Sequence, residues 1–256
     1  MRSKSHAALR YPMHDAAGLP ASPQAWSPPL SSEALRQHLS LPATVGLSSL
    51  PLSVLDQPLP VYPQLPSTLS RAVNKRRREY QTGRLCACAA LRNAGYPHDA
   101  YPDMGEDRLP LWPNGWLGSI SHSGDYAMAA AAPQSTCIAL GIDIQQRVAL
   151  KALMGTQSLV AQPGELAQLE SFDAVTRLLL VFSAKESLYK ALYPQVRRIL
   201  DFDAAELIQA DAQVLEFRLT CDWSSCWDTG KRISVRYVVF DEYIVTATYL
   251  SDRHST

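Results

Sequence analysis

Two hydrophobic periods divide this chain. At helical spacing, Val73, Tyr80, Leu85 and Leu91 recur between Thr68 and Asn93, so a helix is expected there, with Ser67 or Thr68 as N-cap and Gly95 as its stop. A second helical stretch runs from about Asp173 to Tyr193 and is expected to stop at Pro194. At period two, Trp116–Ser121, Tyr126–Ala132 and Cys137–Ile144 read as strands, as do Val214–Thr220, Arg232–Phe240 and Tyr243–Tyr249. A helix and a group of strands thus occur twice in the same order. The pattern predicts an α+β fold of two similar halves, each a small sheet with a packed helix.

Prolines change the picture at the front. Eleven of the eighteen fall at or before Pro66, and stretches such as Ser22–Pro29 cannot be continuous helix. Residues 1–66 therefore read as an irregular segment, with one short helix near Ser32–Leu39, packed on the first half through Trp26 and its Leu and Val residues. The expected organisation is this segment, a first α+β half over 67–146 and a second over 147–256; the resemblance described below implies an active site in the cleft between the halves.

Charge and composition exclude more than they identify. The 256 residues carry 24 basic and 24 acidic side chains, so nothing global points to nucleic acid or an anionic membrane. Met1 to Asp15 has no apolar core of a secretory signal, and no apolar run approaches a membrane span. The five cysteines, odd in number and widely spread, read as reduced, buried thiols of a cytoplasmic protein rather than a metal cluster.

Four segments carry candidate chemistry. In Cys137–Gln145, period two puts Ile138, Leu140, Ile142 and Ile144 on one face and Ala139, Gly141, Asp143 and Gln145 on the other. Such a strand suits the floor of a ligand site, where Gly141 lets a bulky group approach and Asp143 offers a hard oxygen to a cation; alone, Asp143 is as readily a turn cap. In Phe182–Lys190, helical spacing aligns Leu179, Ser183, Glu186 and Lys190, with Phe182, Lys185 and Tyr189 on the adjoining stripe. A solvent-exposed Glu–Lys pair is the ordinary alternative.

In Trp112–Gly124, the run Ser121-His122-Ser123-Gly124 supplies hydroxyls, an imidazole and turn amides suited to phosphate oxygens. Ser121 and His122 make a poor nucleophile pair, since neighbours on a strand point to opposite faces; a structural histidine is the alternative. Between Arg71 and Arg84 lie six basic residues and one acid, of which Arg76, Arg77, Tyr80 and Arg84 approach one helical face as an anion site. A solvated face or a nucleic-acid-binding module built on Lys75–Arg78 is the competing reading.

In order and approximate spacing, Arg76–Arg84, Trp112–Gly124, Gly141-Ile142-Asp143, Pro163-Gly164-Glu165 and Phe182–Lys190 resemble the motifs of the phosphopantetheinyl transferases, in the bacterial branch that includes enterobactin synthetase component D. The likeness covers roughly Asn74 to Phe202, about half the chain. It implies a monomer of two pseudo-symmetric halves with coenzyme A in the cleft. The enzyme moves the 4'-phosphopantetheine arm of coenzyme A onto a serine of an acyl or peptidyl carrier protein and releases 3',5'-ADP, with no nucleic acid or membrane as partner.

Carried over, Asp143 and Glu186 hold Mg²⁺, or Mn²⁺ as the alternative cation, with Gln145 as third position. Arg76, Arg84, Ser121 and His122 grip the phosphates, with Arg108 as a further contact, and Lys185 and Lys190 reach the pyrophosphate. Glu186 is the expected base, and Lys190 neutralises the leaving group. Many bacterial members have an acid two residues after the metal-binding aspartate, whereas this chain has Gln145. The departure implies weaker metal binding, and it leaves a catalytically weak, coenzyme A-binding regulatory protein as the alternative function.

Overall fold

A computed structural model describes residues 32–147 and 157–251. Trp26 and the proline-rich stretch around it lie outside the described residues. The first half is built from α1 (Ser32–His38), β1 (Gly46–Pro51), α2 (Asn74–Asn93), the hairpin β2 (Asp103–Met104) and β3 (Pro110–Leu111), then β4 (Trp116–Ser123) and β5 (Tyr126–Pro133). After β6 (Ala139–Gln146) come the short helices α3 (Gln157–Val160) and α4 (Pro163–Ala167) and the long α5 (Ala174–Val196). Strands β7 (Ala205–Ala210), β8 (Val214–Leu219), β9 (Arg232–Val239) and β10 (Tyr243–Leu250) complete the described fold.

Two antiparallel sheets result, in the orders β1-β5-β4 and β6-β10-β9-β8-β7. Helix α2 covers the first: Cys86, Ala87, Ala90 and Leu91 pack on Ala127, Ala129 and Ala131. The alternate residues Met128, Ala130 and Ala132 join Leu140, Ile142 and Ile144 in the core between the sheets. Strand β5 is thus buried on both faces, and its methyl side chains let a helix and a second sheet approach at once. Helix α5 covers the second sheet through Leu179, Ala184, Leu188 and Leu192, against Phe217, Val235, Tyr237 and Ile244. The α+β architecture with a helix on each sheet is as expected.

The boundaries differ from the sequence pattern in four places. The proline-rich segment contributes β1 to the first sheet, and β6 pairs with β10 of the second although it precedes residue 147. Helix α2 begins at Asn74, not Thr68, because the chain makes a 3₁₀ turn over Ser67–Leu69 and is extended again at Val73, which gives no side-chain cap. Helix α5 runs through Pro194 to Val196 and stops at Arg197 in a left-handed conformation. In a last turn, Pro194 costs a single backbone bond, which the helix tolerates. The five cysteines are free, and Cys86, Cys88 and Cys137 are buried.

The two sheets meet along β4 and β6 through serine side chains. Ser119 Oγ accepts from the Ile142 amide at 3.0 Å, Ser121 Oγ from the Ile144 amide at 3.4 Å, and Ser123 Oγ from the Gln146 amide at 3.0 Å. Three hydroxyls spaced by two residues, all on one face of β4, thereby satisfy alternate amides along β6. This seam sets β4, β6 and α5 side by side, and Asp143 lies where they meet.

Candidate active site

Asp143 projects from β6 toward α5 and is 1% exposed. Burial of a carboxylate requires donors, and four surround it. Oδ1 accepts from Ser121 Oγ at 2.7 Å and from Lys190 Nζ at 2.5 Å. Oδ2 accepts from Ser183 Oγ and Gln145 Nε2, both at 2.8 Å. Ser183 is small because it stands between the helix and this carboxylate, and Thr246 of β10 hydrogen-bonds it from behind at 2.9 Å. Lys190 Nζ also lies 3.1 Å from Ser121 Oγ and 4.0 Å from Glu186 Oε2. Burial pushes the Glu186 carboxyl above the ordinary glutamate value; the Lys190 ammonium opposes that shift and Asp143 adds to it.

A second cluster lies beside the first. Arg76 Nη1 is 2.6 Å from His122 Nε2, and because a guanidinium only donates, Nε2 is the acceptor. The ring is then neutral, with its proton on Nδ1, 3.6 Å from Glu79 Oε2. Burial holds His122 below the usual histidine pKa; Glu79 pulls the other way, and Arg76 reinforces the lowering. About two helical turns on from Arg76, Arg84 is 6% exposed, with its guanidinium carbon 4.3 Å above the Tyr80 ring. Its Nε has no hydrogen-bond partner, and no carboxylate among the described residues lies in ion-pair contact with it, Tyr80 and the more distant Asp103 being its favourable neighbours.

Asp143, Glu186, Lys190, Gln145 and Ser121 therefore come together, with His122 and Arg76 adjoining. Three expectations change. Ser121 turns inward and donates to Asp143, since its hydroxyl is buried in the seam. Gly141 admits the backbone of α5: a Cβ there would lie 1.8 Å from the Ser187 carbonyl oxygen. Lys185 points away from Asp143, into a buried pair with Glu165 at 2.8 Å, and also donates to the Val160 carbonyl at 2.9 Å. Helical spacing puts Lys185 on a different stripe from Glu186 and Lys190, and that stripe meets α3 and α4. Arg108 sits exposed in the β2–β3 turn with positive φ, and its guanidinium makes no hydrogen bond or ion pair to a described residue.

Sequence reasoning assigned nothing to Glu79 or Ser183. Both carried a signal: Glu79 is the one acid in a basic run, and Ser183 is a small polar residue on a charged stripe. Among the described residues no group of three or more His, Cys, Asp and Glu side chains gathers, so no third acid joins Asp143 and Glu186, and the neutral Gln145 stands where one would be.

Comparison with known proteins identifies the family. The profile of the 4'-phosphopantetheinyl transferase N-terminal domain matches residues 65–132, and that of the 4'-phosphopantetheinyl transferase superfamily matches residues 139–248. The 4'-phosphopantetheinyl transferase Npt of Nocardia iowensis is 34% identical over 65% of this chain and 73% of its own length. For the 4'-phosphopantetheinyl transferase Svp of Streptomyces mobaraensis the identity is 37%, over 62% of this chain and 65% of that protein. Enterobactin synthase component D of Salmonella typhi is 33% identical over 59% of this chain and 62% of its own. With the latter two, the match spans just under two thirds of the relative. By profile and by relatives, this chain belongs to the 4'-phosphopantetheinyl transferase superfamily.

Proposed function

We propose that this protein transfers the 4'-phosphopantetheine arm of coenzyme A to a serine hydroxyl of an acyl or peptidyl carrier protein and releases 3',5'-ADP. The observation that carries the reading is the convergence of Asp143, Glu186 and Lys190 at one buried point beside the Arg76–His122 pair. It joins a carboxylate that can take a proton to cations that can hold phosphates.

The anion side is supported independently. Helix α2 has no side-chain N-cap and no acid in its first turn, while Lys75, Arg76, Arg77 and Arg78 crowd there. Cations at a helix N-terminus are unfavourable unless an anion joins them. Arg84, buried without a carboxylate, is a second locus for the same charge. Arg76, His122 and Arg84 are the proposed grip on the phosphates of coenzyme A, and Arg108 is an outer contact. Lys185 is left out of that set because Glu165 holds it.

On the reacting side, Glu186 takes the proton of the carrier serine as its oxygen bonds to the β-phosphorus of coenzyme A. The bond from that phosphorus to the bridging oxygen breaks, and the electron pair leaves with 3',5'-ADP, whose new charge Lys190 neutralises. Asp143 and Glu186 are hard oxygen donors suited to Mg²⁺ or Mn²⁺, with Gln145 adding a neutral oxygen, and when bound the cation offsets charge on the phosphate oxygens. Ser183 and Ser121 keep the Asp143 carboxylate in place.

Enterobactin synthase component D, among the relatives, makes the carrier domains of an enterobactin synthase the first to try, beside other acyl and peptidyl carriers. The test is to incubate the protein with coenzyme A, Mg²⁺ and a panel of apo carrier domains and follow intact mass. Gain of the arm on at least one carrier is expected, and its loss in Glu186→Gln. Coenzyme A bound with no carrier modified would replace this reading with a regulatory one.

A further inference from the structure

Lys190 stands where two carboxylates converge. Its ammonium is 2.5 Å from Asp143 Oδ1 and 4.0 Å from Glu186 Oε2. Both acids project toward the same point, one from β6 and the other from the preceding turn of α5. An ordinary i, i+4 pair would keep its lysine in solvent over Glu186; this one passes Glu186 and reaches a carboxylate that is 1% exposed.

Asp143 has no hydrogen-bonding capacity to spare. A carboxylate offers about four lone-pair positions, and Asp143 uses two on each oxygen, with Ser121 and Lys190 on Oδ1 and Ser183 and Gln145 on Oδ2. A divalent cation cannot simply be added to that shell: one donor must leave. Of the four, Lys190 alone carries charge, so it is the donor that an incoming cation repels. It also has the longest and most flexible stem, whereas Ser121 and Ser183 are fixed in the seam and in α5.

We propose that Lys190 is a resident counter-cation of the Asp143–Glu186 pair, that a divalent cation displaces it, and that the displaced ammonium then turns to the anionic substrate. The inference rests on the metal reading given under Proposed function and deepens it. Its charge balance is simple. With Lys190 in place, two carboxylates face one positive charge; with a divalent cation in place, they are neutralised and one ammonium is released for a phosphate. Metal and anion then favour each other through one side chain, and by linkage each raises the affinity for the other by the same factor. The neutral Gln145 fits this scheme, because a third acid would hold the cation without need of the exchange.

Two measurements test it on the full chain. Free Mn²⁺ is counted by electron paramagnetic resonance during titration of the native protein, Lys190→Met, Lys190→Arg and Asp143→Asn, all without coenzyme A. Lys190→Met is expected to bind Mn²⁺ at least about fivefold more tightly than the native chain, within the usual range of such linkages. Lys190→Arg is expected to stay near native, and Asp143→Asn to lose binding. Lys190→Met binding no more tightly, with Asp143→Asn still defective, overturns the exchange and leaves the metal site standing. Native-like binding by Asp143→Asn overturns the metal assignment and the inference with it. Because Lys190→Met also removes a donor from a buried carboxylate, a second measurement uses the native chain: the ¹⁵Nζ resonance of Lys190 should move as Mg²⁺ saturates the protein, and a resonance unmoved at saturation refutes displacement.

Discussion

Gly141 and Ser187 touch backbone to backbone: a Cβ built on Gly141 would lie 1.8 Å from the Ser187 carbonyl oxygen and 2.7 Å from the Ala191 amide nitrogen. That approach lets α5 lie flat on β6, so Ser183, Glu186 and Lys190 reach Asp143 two residues along the strand. No side chain is available to move aside, since the obstacle is helix backbone. Gly141→Ala is therefore expected to cost at least about 1–3 kcal/mol, the range for overpacking. Urea denaturation of the native chain and the variant checks this; a midpoint within error of native would mean that the helix slides at little cost.

The strand pattern was legible in β6 because it alternates strictly, with Asp143 on the face opposite its isoleucines, whereas β5 is apolar throughout and buried on both faces. What Gly141 admits was not legible, since a glycine opposite a ligand and one opposite a helix read alike. The outer strands were harder. Strand β7 is Ala-Glu-Leu-Ile-Gln-Ala, with no clear alternation, and β1 is hidden among prolines; both are held by the neighbour each pairs with. The direction of Lys185 illustrates the same limit. Helical spacing separated its stripe from that of Glu186 and Lys190, but which stripe meets Asp143 depends on where β6 lies against the helix. Arg76 and His122, far apart in sequence, were grouped by the family resemblance, and the fold sets them 2.6 Å apart.

In the metal-free protein, burial raises the Glu186 carboxyl above the ordinary glutamate value, so its charged form is lost earlier on acidification than for an ordinary glutamate. A divalent cation held by Glu186 lowers that pKa again, so the acid limb of the transfer rate should move to lower pH as Mg²⁺ is raised. In Glu186→Gln that limb should vanish, with a rate lower by about 10²–10⁴-fold. Stability runs the opposite way. A folded-state pKa above the unfolded one contributes stability that is complete below the unfolded value and is lost as pH rises through the folded value. Glu186→Gln should thus gain more stability, relative to native, at pH 7 than at pH 4. A pH–rate profile and melting at the two pH values check both signs.

Arg84 separates binding from folding. Its guanidinium is buried over Tyr80 with no carboxylate in ion-pair contact, and desolvation lowers its pKa against the pull of Tyr80 and the more distant Asp103. A buried cation left unpaired costs the empty protein stability, while a phosphate arriving there gains a charge-assisted hydrogen bond worth about 1.5–3 kcal/mol. Arg84→Met should weaken 3',5'-ADP binding by roughly tenfold or more. It should also leave the urea midpoint unchanged or raised. Calorimetry and denaturation of the same sample decide it; lower stability with native affinity would make Arg84 a structural residue only.

Lys185 and Glu165 should behave as a structural pair rather than as substrate contacts. Glu165 is 2% exposed, accepts from the Leu207 amide at 2.9 Å and the Gln162 amide at 2.8 Å, and faces the Lys185 ammonium at 2.8 Å. One carboxylate thus ties together the start of α4, the middle of α5 and strand β7. Burial pulls the Lys185 pKa down and Glu165 opposes that, so removing Glu165 leaves an ammonium with the Val160 carbonyl as its remaining acceptor. Breaking a buried pair from one side costs about 3–5 kcal/mol, while removing both charges costs less than the sum. Lys185→Met and Glu165→Gln should each lower the urea midpoint sharply, and the double variant should recover part of the loss. In the folded fraction of Lys185→Met, 3',5'-ADP should bind with native affinity. If instead that affinity drops while the midpoint holds, the lysine leaves Glu165 for the pyrophosphate in the working enzyme.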